Sequence, residues 1–545
     1  MSPDSDASKP FGDIALCLSG GGYRAATYAL GALSMLNKLN LLDDVKLLST
    51  VSGGTFTGTF YALRQSEGKT FEEFFDEFTK YLKTTNAIDR ALDELYTTPS
   101  PSGSTDLSLI RSAAKSYQDC LFHKHTFKEL LDFTRSGTRF RELIFNSTEF
   151  RGGNSFRFRA SSDPDVFIGN QNFAVPEKVA EEIYLADIVA ASSCFPGAFE
   201  PIRFPDDFYW QSPLATIRGK LIEDVTNPKT HEVYQNGFNV DGKCIPLPLM
   251  DGGVFDNQGT TSAVLADRKK TFGLFLVTDT SARDDAILTL PDSSPRRGWV
   301  SLETLFWCGV GIFFVCLAAI VIVGYSFFHT GKAPFADWQV YLGYAVSILP
   351  AFLLIVVLAW IYDQFKRFQT LDIAGAEFKL WHFFKRMALP DAIEIVKSRI
   401  SSILAMTSNV FMKRIRQLEF NNIMNTDSSR ASLVAFNLIY DLNPTKPRDW
   451  LNKLDPELEV PLKLQELSAK AEIVPTTLWM NEEQYKILLD CGEATTCFSF
   501  LKYLWKKWLA ESDDGKLQVP KPNTPESPYF EIYTRIKEVW MELKG

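Results

Sequence analysis

Over the first 280 or so residues, short apolar runs alternate with longer stretches of helical spacing. Ile14 to Leu18 (IALCL) and Val45 to Val51 (VKLLSTV) read as buried strands, each followed by a helix, Tyr23 to Asn40 and Gly53 to about Arg64. Further strands are expected at Ser155 to Ala160, Val166 to Gly169, Thr271 to Thr278 and Ser432 to Tyr440. Strands that alternate with helices imply a covered, mostly parallel sheet with helices on both faces, an α/β fold. Thr97 to Asp106 is turn-rich, Asp206 to Pro248 is broken by Gly, Pro and Asp like an inserted loop, and Ile373 to about Met424 reads as long and helical.

Two runs in the middle of the chain have another character. Residues 302–328 and 339–362 are almost free of charge, each longer than the ~20 residues that span a bilayer. A pair of core helices would show a polar stripe over this length. Arg296, Arg297, Lys366 and Arg367 flank the pair, whereas the link between the runs offers only Lys332 beside Asp337. The expectation is a transmembrane hairpin with both termini and the soluble parts on the cytoplasmic side, a multi-pass protein integral to a bilayer. Three parts follow: a main part at 11–295, the hairpin at 302–362, and a C-terminal part at 363–545 that packs back on the first. The stretches Leu380 to Arg386 and Tyr503 to Trp508 mix aromatic and basic residues. Each reads either as a headgroup-level segment or as an amphipathic helix packed on the domain.

Composition narrows the function classes. At 545 residues, with a net charge of −9 and 46% hydrophobic residues, the chain suits neither a disordered tail nor a nucleic-acid surface, which needs a clustered positive field. Eight cysteines without CxxC pairs read as free thiols. The first residues, MSPDSDASKPFGD, hold no apolar core of a signal peptide. No His/Asp/Glu cluster has metal-ligand spacing, and neither metal nor cofactor is expected.

The first strand runs into Gly20-Gly21-Gly22-Tyr23-Arg24-Ala25. This satisfies the dinucleotide-binding spacing G-x-G-x-x-G/A, which also needs an acid at the end of the second strand. Asp43 and Asp44 precede that strand and would lie at the opposite edge. At the correct edge stands Thr50-Val51-Ser52-Gly53-Gly54, a serine between a strand and a helix. Small residues there permit the tight turn of a nucleophile elbow, and the glycine loop beside it offers N–H groups to an oxyanion. None of the five histidines, at 123, 125, 231, 329 and 382, follows a strand end, so a base is sought elsewhere. Met250-Asp251-Gly252-Gly253-Val254 supplies an aspartate whose glycines allow close backbone approach.

The glycine loop, serine elbow and Asp-Gly-Gly, in this order, resemble the patatin-like phospholipase family, lipid acyl hydrolases with a Ser-Asp dyad. The resemblance covers about residues 11–280, and more loosely the strand near Ser432 and a helix ending near Cys491-Gly492. It implies Ser52 as nucleophile, Asp251 as proton acceptor, and Gly20, Gly21 and Gly22 as the oxyanion loop. Arg24, Gly53, Gly54, Gly252 and Gly253 would support them. Ala191 to Gly197 (ASSCFPG) resembles the segment that lines the family's active site. Thr50 stands where the family's serine motif begins with glycine, and Ala25 where a glycine often follows the arginine. The implied activity is hydrolysis of fatty-acyl esters of membrane phospholipids, lysophospholipids or other glycerolipids through an acyl-enzyme. An acyltransferase or thioesterase on the same dyad, and an inactive membrane scaffold, are the alternatives.

Overall fold

The computed structural model describes residues 9–95, 108–163, 165–226, 231–281, 406–426, 432–445, 448–513 and 519–545, with scattered positions between 301 and 403. It divides into two units, residues 1–285 with 407–545, and residues 286–406.

The first unit is built on one eight-stranded sheet. Its strands are β1 (Ile14–Leu18), β2 (Val45–Val51), β3 (Glu142–Glu149), β4 (Asn154–Ser161), β5 (Ile202–Phe204), β6 (Leu247–Asp251), β7 (Leu274–Asp279) and β8 (Val434–Leu438). Five run parallel in the order β8-β7-β1-β2-β3, as crossovers through helices require. The other edge is antiparallel: β4 folds back on β3 after a short turn, and β6 pairs both β3 and β5. The sheet is therefore mixed rather than mostly parallel, because turns as short as Phe150 to Gly153 permit only a hairpin.

The pleat sorts β1 between two cores. Ile14, Leu16 and Leu18 enter the large one, with α1 (Gly22–Lys38) and α2 (Gly53–Ser66); Ala15 and Cys17 enter a smaller one with Ile144, Phe272 and Val277. The aromatic side of the large core includes α3 (Phe71–Thr84), whose Phe78 stacks on Phe60 of α2 while Phe74 packs tilted against the same ring.

Residues 432–545 complete this unit. The 32-residue helix Glu482–Asp513 crosses α1 with backbones in contact: a Cβ on Gly31 would lie 2.4 Å from the Leu489 carbonyl, and one on Gly492 would lie 2.4 Å from that of Tyr28. At the crossing, the Tyr28 hydroxyl bonds Asn437 of β8 (2.7 Å) and Thr495 (2.6 Å). This helix does not end near Gly492. It carries Trp505 into full burial, so Tyr503 to Trp508 packs on the domain instead of standing free.

The expected transmembrane hairpin is corrected. Among the described residues no helix is long and apolar enough to cross a membrane, so a two-helix, multi-pass protein integral to a bilayer is not supported. The longest helix among the described residues, at 482–513, carries Glu482, Lys486, Asp490, Glu493 and Lys502, more charge than hydrocarbon accepts. Most of 302–328 and 339–362 lies outside the described residues, as do 97–106 and 380–386. Within 373–424 positions 397 and 400–403 are helical, a π-helical turn at Met406–Phe411 leads into the helix Met412–Thr426, and Asp372–Ile373 pairs Ala376–Glu377. Val166 to Gly169 is not a strand; Gly169 makes isolated bridges only. Cys17, Cys120, Cys194, Cys244, Cys308, Cys491 and Cys497 are free thiols.

Candidate active site

β2 delivers its last side chains into a sharp turn. Ser52 has φ 48° and ψ −117°, a conformation a non-glycine residue adopts only under constraint, at a cost on the order of 1–3 kcal/mol. The constraint is visible on both sides. Behind the serine, the Gly53 position is so tight that a Cβ would lie 2.0 Å from the Gly22 carbonyl. Beneath it, the Ser52 N–H donates to the Ser192 hydroxyl at 3.0 Å. That hydroxyl in turn donates to the Asn146 carbonyl (2.6 Å) and bonds Thr55 (2.8 Å), which bonds Thr50 (3.0 Å). Thr50 is thus the far end of a buried hydroxyl chain that grips the elbow.

Asp251 ends β6 and is 2% exposed; Ser52 is 7% exposed. Cys194 and Ser192, at the end of the helix Leu185–Ser193, hold the Asp251 segment by their carbonyls: Asp251 N–H to Cys194 (2.9 Å) and Gly252 N–H to Ser192 (3.2 Å). The Thr148 hydroxyl donates to the Asp251 carbonyl at 2.8 Å. One carboxylate oxygen accepts from the Gly253 N–H at 2.7 Å. Burial pushes the Asp251 carboxyl up to about 6, opposed by hydrogen bonding from the Ser52 side chain and the Gly253 amide. The raised carboxyl is a stronger base than an exposed aspartate.

The glycine loop borders the same point. An added Cβ on Gly20 would stand 3.1 Å from the Ser52 Cβ. The Gly20 N–H is spent on the Asn257 carbonyl (3.0 Å), so it does not face a substrate. Gly22 and Gly53 each open a helix, where the first N–H groups have no partner within the helix. Among the described residues the amides of Gly21, Gly22 and Gly53 have no acceptor. These three, with the N-terminal end of the α2 dipole, favour negative charge beside Ser52.

The remaining expected residues have structural contacts. A Cβ on Gly54 would lie 2.5 Å from the Leu18 carbonyl, which lets α2 pass close over β1. Arg24 is engaged by the C-terminal part: it donates to the Val474 carbonyl at 3.0 Å and lies in the fields of Asp279 and Arg416. His125 is engaged by Glu129 (2.5 Å) and Glu67 (3.4 Å). Among the described residues no group of three or more His, Cys, Asp or Glu side chains is placed to hold a metal. Ser192, Asn146 and Thr148 were not singled out individually from sequence; the segment ASSCFPG was the one signal pointing toward Ser192.

No curated protein matches the sequence. Among solved structures the chain is similar to human GIVD cytosolic phospholipase A2, with 14% identity over 50% of this chain and 46% of that one, and a TM-score of 0.31. The same human enzyme in complex with methyl gamma-linolenyl fluorophosphonate and terbium chloride gives 15% identity over 50% and 41%, with a TM-score of 0.30. The matched part thus spans less than half the length of those chains. Residues 16–264, which contain the glycine loop, the Ser52 elbow, the Ser192 segment and Asp251, match the family of patatin-like phospholipases.

Proposed function

We propose that this chain is a serine lipid acyl hydrolase that cleaves fatty-acyl esters of phospholipids, lysophospholipids or related glycerolipids. Asp251 takes the Ser52 proton as the serine oxygen attacks the acyl carbonyl, and the Gly21, Gly22 and Gly53 amides receive the oxyanion. Collapse expels the alcohol, which takes the proton from Asp251. Water, deprotonated by Asp251, then attacks the acyl-enzyme and releases the fatty acid. Each amide aimed at the oxyanion lowers the barrier by about 3 kcal/mol.

One observation carries the reading: a strained, helix-backed Ser52 with the glycine loop packed against it, in the same buried region as the Asp251 carboxylate that the Gly253 amide holds. The match of residues 16–264 to a phospholipase family supports the acyl-ester substrate class. The test is fatty-acid release from diacyl phospholipid, lysophospholipid and triacylglycerol by wild type and Ser52→Ala. Loss of at least about a thousandfold in the variant, with an unchanged melting profile, is the expected result. Equal release by both proteins removes the proposal.

A further inference from the structure

The chain leaves the sheet after β7 and re-enters the same unit at Thr407, where its first regular helix is Met412–Thr426. We propose that Arg416 and Glu419 on this helix are positioning residues that hold the glycine loop in its oxyanion-receiving geometry. The idea rests on the acyl-hydrolase reading above.

Gly20 is pinned at both of its backbone polar groups. Its N–H donates to the Asn257 carbonyl (3.0 Å), and its carbonyl accepts from the Thr280 hydroxyl (3.2 Å). The Thr280 N–H adds a bond to Ser19 (3.3 Å).

Each pin leads back to the helix. Asn257 lies in a turn knotted by the buried Asp256 carboxylate, which accepts the N–H groups of Gln258 (3.0 Å), Gly259 (3.0 Å) and Thr261 (2.7 Å). The hydroxyl of that same Thr261 donates to Glu419. Thr280, the second pin, follows Asp279. The Asp279 carboxylate accepts from Gln258 Nε2 (2.8 Å) and faces the Arg416 guanidinium at 3.8 Å. Gln258 joins the two routes.

Arg416 and Glu419 are three residues apart, so they share one helix face. One reaches the acidic end of β7; the other reaches the turn that follows Asp251. Arg24, in the first turn of α1, completes the cluster: Asp279 favours its charge and Arg416 opposes it. The glycine loop, the Asp251 segment and the end of β7 are thereby fastened to a helix that sequence alone places far from all three. A loop displaced by about 1 Å loses its alignment with the developing oxyanion, which costs up to about a hundredfold in rate.

The experiment compares Arg416→Gln, Glu419→Ala and the double variant with wild type, reading kcat, KM and amide hydrogen exchange at Gly20 to Gly22. The expected result is a fall in kcat of about tenfold for each and more for the double, with KM within twofold. Exchange should be faster at Gly20 and unchanged in β1. Arg416→Lys and Glu419→Gln, which keep the charge or the acceptor, should recover most of the rate. If the double variant fails to fold, Thr261→Val removes only the hydroxyl that Glu419 accepts and reads the same quantities. Unchanged exchange at Gly20, or losses confined to KM or to melting temperature, overturn the proposal. Hydrolysis that is indifferent to Ser52→Ala would overturn the acyl-hydrolase reading, while the exchange data would still decide this one.

Discussion

Asp251→Asn should leave the protein more stable and without activity. The carboxyl has an ordinary value of 3.8 and is raised by burial to about 6. The native state therefore holds the proton more tightly than the unfolded chain. The stability that follows is fully present below 3.8 and is lost as pH rises through about 6. At pH 8 the ionised, buried carboxylate costs the fold up to about 3 kcal/mol, from a difference of about two pH units at 1.36 kcal/mol each. Asparagine removes the charge and keeps an oxygen for the Gly253 N–H. The gain should be about 3 kcal/mol at pH 8 and shrink to about half that at pH 5. Urea unfolding of both proteins at the two pH values measures it, and subtraction cancels Asp256, which burial also raises to about 6. The same carboxylate sets an acid limb in the wild-type rate, which should fall about tenfold per pH unit below about 6. A variant that is destabilised equally at both pH values would refute the claim that burial of this charge dominates.

Three further outcomes are expected. Ser192→Ala leaves the Ser52 N–H without its acceptor, and should cost about 1–3 kcal/mol in urea unfolding while lowering kcat more than it changes KM. Gly53→Ala drives a methyl into the Gly22 carbonyl 2.0 Å away, so soluble expression or ester hydrolysis should be lost; a normal enzyme would contradict the close approach. His125 is raised above its ordinary 6.5, chiefly by its hydrogen bond to Glu129, with Glu67 adding to it. The stability from these contacts is present below 6.5 and is lost as pH climbs through the raised native value. His125→Gln should therefore lower the melting temperature at pH 6 and leave it unchanged at pH 9.

The parallel half of the sheet was legible because its strands are short apolar runs followed by helices, as in IALCL and VKLLSTV. β3 was not. All eight of its positions are buried, yet its second half reads Asn146-Ser147-Thr148-Glu149. Those polar residues serve the site: the Asn146 side chain donates to the Ser49 hydroxyl and the Thr50 carbonyl beneath the serine turn, and the Ser147 and Thr148 hydroxyls donate to the β6 backbone. A strand that supports a polar site gives up the apolar pattern by which buried strands are recognised. The glycine loop, the serine turn and the Asp-Gly-Gly were readable as motifs, and the fold gathers them at one point. Which amides remain free was not readable, since Gly20 is spent on Asn257, a partner 237 positions away in the chain. The bilayer hairpin was inferred from hydropathy and flanking charge alone; no described helix supports it.

The most direct test of Ser52 and Asp251 as a reacting pair is covalent labelling with an alkyl fluorophosphonate, followed by peptide mapping and timed against Asp251→Asn. A single adduct on Ser52, formed at least about a hundredfold more slowly in the variant, is the expected result. An adduct on another residue, or a labelling rate indifferent to Asp251, would contradict it.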